Sequence, residues 1–353
     1  MRKETIILFI VLFALMPVTG VAKEAVSADK AFPVNPEDYG YTAQEYAQAE
    51  STLFFSGFVN RAGINKVFTF PGLTRPGDNW VVSPNNDTIY SIAIVDTSDD
   101  VSITLPEVEE GRYMSLHVVD LNHYTPFVIY ESGRHDFPKG TFDTNNVGFG
   151  IRIQANPFDP KDVQHVIELA KQIKVDAKSD KNYLKPVDKA KMLKLREALL
   201  PYYAKLKSTG QYMGKKGTVD PWGHLLVTAG AWGLFPEKDA TYIPYNPKLK
   251  ADRCYTATYT VPPQKEFFSI TIYGPDLYLF SENAILNKYN IVFDDEQHAR
   301  FTAYFGSKEQ CGDVKNRLDT VDGWNLLMRA YRPEVPAIRD YKMPDVSPFV
   351  PGK

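Results

Sequence analysis

Two blocks of short strands, separated by a long helical middle, constrain the fold of this chain more than any single motif. In the first block, Tyr90-Ser-Ile-Ala-Ile-Val95, Val101-Ser-Ile-Thr-Leu105 and Arg112-Tyr-Met-Ser-Leu-His-Val-Val119 are runs rich in β-branched and aromatic residues. Turn clusters at 97–100 and 109–111 separate them. Phe127 to Tyr130 and Gly148 to Ile153 read as further strands. The second block repeats the pattern at Cys254 to Val261, Phe267 to Tyr273, Phe301 to Tyr304 and Trp324 to Tyr331. The blocks also resemble each other. Ile103-Thr-Leu-Pro106 precedes Arg112 to Asp120, as Tyr259-Thr-Val-Pro262 precedes Glu266 to Gly274, with an aromatic-x-Ser and alternating aliphatics in both.

Helices frame these blocks. Thr42 and Glu45 form a capping-box pattern that opens a helix over 43–61, with Gly63 as its stop. Asp159-Pro160 and Asp220-Pro221 each place an N-cap before a proline at the first helical position. A further helical stretch covers 187–207, interrupted near Pro201. The expected fold is therefore mainly β with helical segments: two jelly-roll-like β-sandwich domains joined by a helical region. The boundaries read as 23–156 for the N-terminal helix and first sandwich, 157–238 for the helical connection and 239–353 for the second sandwich.

The first residues give an address. Arg2 and Lys3 precede an unbroken apolar run of 11 residues from Ile6 to Met16, and Gly20 and Ala22 sit at the small positions of a signal-peptidase site. That run is too short to span a bilayer, which needs about 20 residues. It fits a signal peptide over residues 1–22, with an uncleaved anchor as the alternative. A periplasmic or secreted location follows as the expectation. Cys254 and Cys311 are the chain's only cysteines. In an oxidising compartment they would join as a disulfide, though two free buried thiols satisfy the same sequence.

Charge narrows the partners. With 40 Lys and Arg against 43 Asp and Glu, the net charge is -3, which disfavours a nucleic-acid partner. Lys171 to Lys216 nevertheless holds 13 basic against 4 acidic residues. This region is either a solvated helical surface or a weak contact for anionic envelope components.

The familiar catalytic signatures HExxH, GxSxG, the P-loop and GxGxxG are absent from the sequence, so any site is assembled from scattered residues. Asn85-Asn86-Asp87-Thr88 reads as an Asx-type turn before a strand, or as the rim of a pocket at a sandwich end. His117, Asp120, His123 and Tyr124 form a second cluster around the end of a strand. Asp87, His117, Asp120 and His123 are the candidate acid/base residues, because imidazole and carboxylate side chains serve as general acids and bases. Asn85, Asn86, Arg112 and Tyr124 are the candidate ligand contacts, with Arg112 supplying a fork of donors for a polar group. Alternation along the strand puts His117 and Asp120 on opposite faces, which argues against a shared ion. Neither a metal nor a cofactor is expected.

Ser83-Pro-Asn-Asn-Asp-Thr-Ile-Tyr90, followed by Arg112-Tyr-Met-Ser and Asp120, resembles the core of the bacterial family called domain of unknown function 1254. Asp239-Ala-Thr-Tyr242, Pro262-Pro263, Phe267 to Gly274 and Arg329-Ala-Tyr-Arg-Pro333 resemble its C-terminal companion, domain of unknown function 1214. The resemblance spans about residues 40–335. It implies two jelly-roll-like β-sandwiches with helices in an exported protein, and it implies no established chemistry. The functional expectation is a periplasmic or envelope-associated protein that holds a small molecule or glycan, with a homo-oligomer among its possible assemblies. The alternative is a hydrolase or lyase on a carbohydrate or ester, using the Asp/His cluster.

Overall fold

The structure, a computed structural model, describes residues 32–78 and 80–350. The expected signal peptide over 1–22 lies outside the described residues. Strands β1 (Val67–Thr69), β2 (Thr88–Asp96), β3 (Val101–Leu105), β4 (Met114–Asp120), β5 (Phe127–Ile129), β6 (Gly133–Phe137), β7 (Asn146–Gln154) and β8 (Lys174–Ala177) build the first half. Its two sheets have the orders β1-β2-β7-β4-β5 and β6-β3-β8. Alternation decides what each face does. Val147, Phe149, Ile151 and Ile153 of β7 point into the core between the sheets, together with Leu116 and Val118 of β4 and Ile103 of β3. Helix α2 (Pro160–Ala170), capped by Asp159, closes that core with Val166 and Ile167.

Helix α1 (Ala43–Ala62) carries the complete Thr42–Glu45 capping box. It packs with α3 (Lys189–Tyr203) and α4 (Pro221–Gly230) through Tyr46, Leu195, Leu199, Leu225 and Leu226. Pro201 falls in the last turn of α3, which ends two residues later. The helix therefore stops near the proline and does not resume beyond it. Among the described residues no helix is long and apolar enough to cross a membrane.

The second half consists of β9 (Ala240–Tyr245), β10 (Tyr255–Thr260), β11 (Phe268–Tyr273), β12 (Ile285–Asn287), β13 (Arg300–Phe305), β14 (Arg317–Leu318), β15 (Asn325–Tyr331) and β16 (Ser347–Pro348). Two short helices, α5 (Lys308–Cys311) and α6 (Val335–Asp340), join them. Its sheets are ordered β12-β11-β15-β9 and β14-β13-β10-β16 and enclose a second core around Phe301, Trp324 and Met328. Cys254 and Cys311 are bonded, with an S–S distance of 2.04 Å.

The resemblance between the two blocks is a strand-for-strand match. Order β2-β7-β4-β5 corresponds to β9-β15-β11-β12, and β6-β3-β8 corresponds to β13-β10-β16. Register makes the match residue by residue. Arg152 of β7 lies between Tyr90 and Ser115, and Arg329 of β15 lies between Tyr242 and Ser269. Each sandwich thus presents a Tyr–Arg–Ser row on the sheet face turned away from its own core. The matched residues Tyr113 and Phe267 meet edge to face at 5.4 Å, so these two faces abut.

Candidate functional site

Where the two faces meet, a cavity of about 140 Å³ opens beside both Tyr–Arg pairs. Its floor is made by β7, where Gly148 and Gly150 share the face that carries Arg152. A Cβ on Gly148 would come within 2.7 Å of the Phe55 ring, so only glycine lets α1 approach there. At Gly150 the nearest atom to such a Cβ would be 3.6 Å away, and the missing side chain leaves space. Phe54 and Phe55 of α1, Trp80, and Trp232 beyond α4 form aromatic walls. Tyr90, Tyr242, Asn85, His117, Arg152 and Arg329 supply the polar surface.

The two equivalent arginines differ in their partners. Arg329 is 3 % exposed and donates to Thr271 Oγ1 (3.1 Å), Ser83 O (2.6 Å) and Tyr273 Oη (2.8 Å). Asp87, which reaches over from the first sandwich, lies within its electrostatic range. Arg152 has its guanidinium 4.3 Å from the Phe235 ring centre and 5.0 Å from that of Tyr90. Among the described residues its guanidinium has neither a hydrogen bond nor an ion pair, and no carboxylate lines the cavity.

The eight residues expected to form a site fall in several places. Asn85 and His117 line the cavity. Asn85 also organises the turn: its Oδ1 accepts from the Asp87 and Thr88 amides, and its Nδ2 donates to Tyr331 Oη across the junction. His117 stacks on Phe235 at 4.4 Å and shares a hydrogen bond with Thr125 Oγ1. Burial and the nearby Arg152 hold it well below the ordinary histidine range, so it is neutral.

Asp87 is fully buried, accepting from Ser269 Oγ (2.5 Å) and Asn287 Nδ2 (2.9 Å) of the second sandwich. Burial pushes its carboxyl up, against the pull of those two bonds and of Arg329. The matched Asp239 reaches the other way and accepts from Tyr130 Oη at 2.8 Å. His123 adopts the left-handed conformation at φ 66° with both ring nitrogens engaged. Nε2 accepts from the Gly233 amide at 2.9 Å, so Nδ1 carries the proton and donates to Thr228 Oγ1 at 2.8 Å. Neither nitrogen is left for a substrate.

Asp120 accepts from the Tyr124 amide, and Tyr124 stacks on His224 beside a separate small cleft. Asn86 borders a wider groove with Trp80 and Phe158, its Oδ1 buried without a partner. Arg112 is bound by Glu109, Asp162 and the Gln154 carbonyl and lines none of these openings. The Asp/His residues are thus held by separate partners. Among the described residues no group of three or more His, Cys, Asp or Glu could hold a metal ion. Arg152, Arg329, Trp80 and Trp232 are the residues that sequence reasoning did not single out. The signal for Arg152 was present in Gly148-x-Gly-x-Arg152, which puts two missing side chains and one charge on the same strand face.

Asp120 gives a pH dependence. Burial raises its carboxyl to about 7, although the Tyr124 and Asn122 amides favour the ionised form. An unfolded Asp titrates near 3.9. Between roughly pH 4 and 7 the unfolded chain releases this proton while the folded chain keeps it, so stability falls as pH rises. Asp120→Asn, which preserves the acceptor for Tyr124, is expected to remove that fall and to be more stable than wild type at pH 7.5. Urea denaturation midpoints at pH 5 and pH 7.5 measure it. A pH dependence unchanged by the substitution would rule Asp120 out as the source.

Comparison with known proteins agrees with this architecture. Residues 64–142 match the family described as "Protein of unknown function (DUF1254)", and residues 244–335 match "Protein of unknown function (DUF1214)". No curated protein matches the chain. The crystal structure of the VPA0106 protein from Vibrio parahaemolyticus is similar, with 19 % identity and a TM-score of 0.69 over 87 % of this chain and 98 % of that one. An uncharacterized protein from Burkholderia cenocepacia is similar at 12 % identity and a TM-score of 0.50, over 88 % of each chain. At such identities the likeness concerns the fold. The chain carries, in this order, a DUF1254 segment and a DUF1214 segment.

Proposed function

We propose that this chain is a binding protein that holds a small molecule in the cavity between its two sandwiches, in the periplasm or outside the cell. The observation that carries this reading is the aromatic-walled cavity floored by Gly148 and Gly150. Aromatic walls with a few polar groups at one end are the usual make-up of small-molecule sites. A space of about 140 Å³ suits a benzene-sized body better than a glycan chain. The separate engagement of Asp87, Asp120 and His123 by protein partners supports holding over turnover. The Cys254–Cys311 bond supports an oxidising compartment.

Filling the cavity is the direct test. Gly150 sits in a central strand between Ile92 and His117. A β-branched side chain there favours the strand by up to about 1 kcal/mol over glycine. Gly150→Val is therefore expected to keep or raise the melting temperature while abolishing ligand-induced stabilisation. A thermal-shift screen of small organic molecules against both proteins checks this. Equal shifts in wild type and variant would place binding elsewhere.

A further inference from the structure

The broken symmetry between the two arginines identifies what the cavity takes. We propose that the ligand is a small organic acid whose carboxylate pairs with Arg152, its apolar body lying against the aromatic walls. This rests on the cavity being a binding site and names the class of its occupant.

The argument starts from the duplicated sequence. Ser83-Pro-Asn-Asn-Asp87-Thr-Ile-Tyr90 and Phe235-Pro-Glu-Lys-Asp239-Ala-Thr-Tyr242 share the pattern Pro-x-x-Asp-x-x-Tyr, each leading into the strand beside its arginine. In one copy the arrangement is complete. Asp87 crosses the junction to Ser269, the serine opposite Arg329, and offsets that guanidinium's charge. In the other copy only one of the two matching contacts is made. Asp239 accepts from Tyr130, the counterpart of Asn287 by strand register, but its second oxygen has no partner and no carboxylate reaches Ser115, opposite Arg152. Arg152 thereby keeps its charge on a cavity wall with no carboxylate opposite it.

The tyrosines do not supply the missing charge. Burial raises the hydroxyls of Tyr90, Tyr113 and Tyr331, so these groups stay neutral at physiological pH. His117 is neutral as well, for the reasons given above. A half-buried guanidinium with no carboxylate opposite it favours a bound anion. A carboxylate suits its planar fork, and the equivalent arginine is already offset by one. The rest of the ligand is constrained by Phe54, Phe55, Trp80 and Trp232, which offer rings and no charge.

The test compares acids with their neutral isosteres on the full chain. Benzoate, phenylacetate and hexanoate are titrated by calorimetry beside benzamide, phenylacetamide and hexanamide, with inorganic phosphate as the simple anion. At least one acid is expected to bind tenfold or more tightly than its amide and than phosphate. Arg152→Met is expected to weaken that acid at least 30-fold and leave the amide unchanged, and Arg152→Lys to fall between. Acid and amide binding equally would overturn the inference while leaving the cavity as a binding site. Phosphate binding as tightly as the acids would also overturn it, as would an acid preference that survives Arg152→Met. If no probe of either kind binds and Gly150→Val changes nothing in a broader screen, the binding reading fails and this inference with it. The acid-to-amide ratio in wild type decides the matter even if Arg152→Met does not fold.

Discussion

Replacing Arg196 by methionine is expected to cost about 3–5 kcal/mol, the range for stranding one member of a buried ion pair. Glu50 on α1 and Arg196 on α3 are 1 % and 8 % exposed at their side chains. The Arg196 Nε donates to Glu50 Oε1 at 2.8 Å, Nη2 donates to Oε2, and Tyr46 Oη adds a 2.6 Å bond to Oε1. Arg196→Met would leave the carboxylate among Leu195, Leu199 and Tyr46 with only the tyrosine to satisfy it. The double variant Glu50→Leu/Arg196→Met strands no charge and is expected to recover most of the loss, because an apolar pair of similar volume fits such a site. Chemical denaturation of the three proteins at pH 7 measures both numbers. A double variant as unstable as the single one would show that helix packing, not the stranded charge, sets the loss.

Removing the disulfide is the second large effect. Cys254 and Cys311 are both fully buried and separated by 57 residues. Closing a loop of that length lowers the entropy of the unfolded chain by an amount worth about 4 kcal/mol. Cys254→Ala/Cys311→Ala should lose roughly that much. The bridge adjoins paired strands β10 and β13 on the sheet farther from the cavity, so ligand binding should survive wherever the variant is folded. Denaturation midpoints with and without a reducing agent provide the check: the reductant should shift wild type and leave the double variant unmoved. A wild type insensitive to full reduction would contradict a stabilising bridge.

The sequence made the elements legible where local chemistry decides them. Alternating β-branched residues gave the strands. Asp159-Pro160, Asp220-Pro221 and the Thr42–Glu45 pair marked helix starts that the structure places where expected. The similarity of 103–120 to 259–274 was visible because the aromatic-x-Ser strand is a local pattern. The cavity was not legible, since it depends on residues that no spacing rule connects. Arg152 gains its meaning from Tyr242 and Arg329, which only register and the abutting of two sheets bring near. Arg112 attracted attention as a charged residue beside a strand, yet Glu109, three residues earlier, and Asp162 on α2 occupy its donors. Asn85, not Asp87, accepts the turn's amides, because the Asp87 side chain is used in the opposite sandwich.

Two matched sandwiches in one chain also differ from two identical subunits in how they can change. In a symmetric homodimer every substitution is made twice, so an arginine that requires a neighbouring acid must keep that acid at both copies. Covalent fusion lifts this obligation. In a single chain one copy can keep such a pairing while the other lacks it. The strand-for-strand match between β7 and β15 therefore amounts to a built-in comparison between an arginine row with a carboxylate and one without.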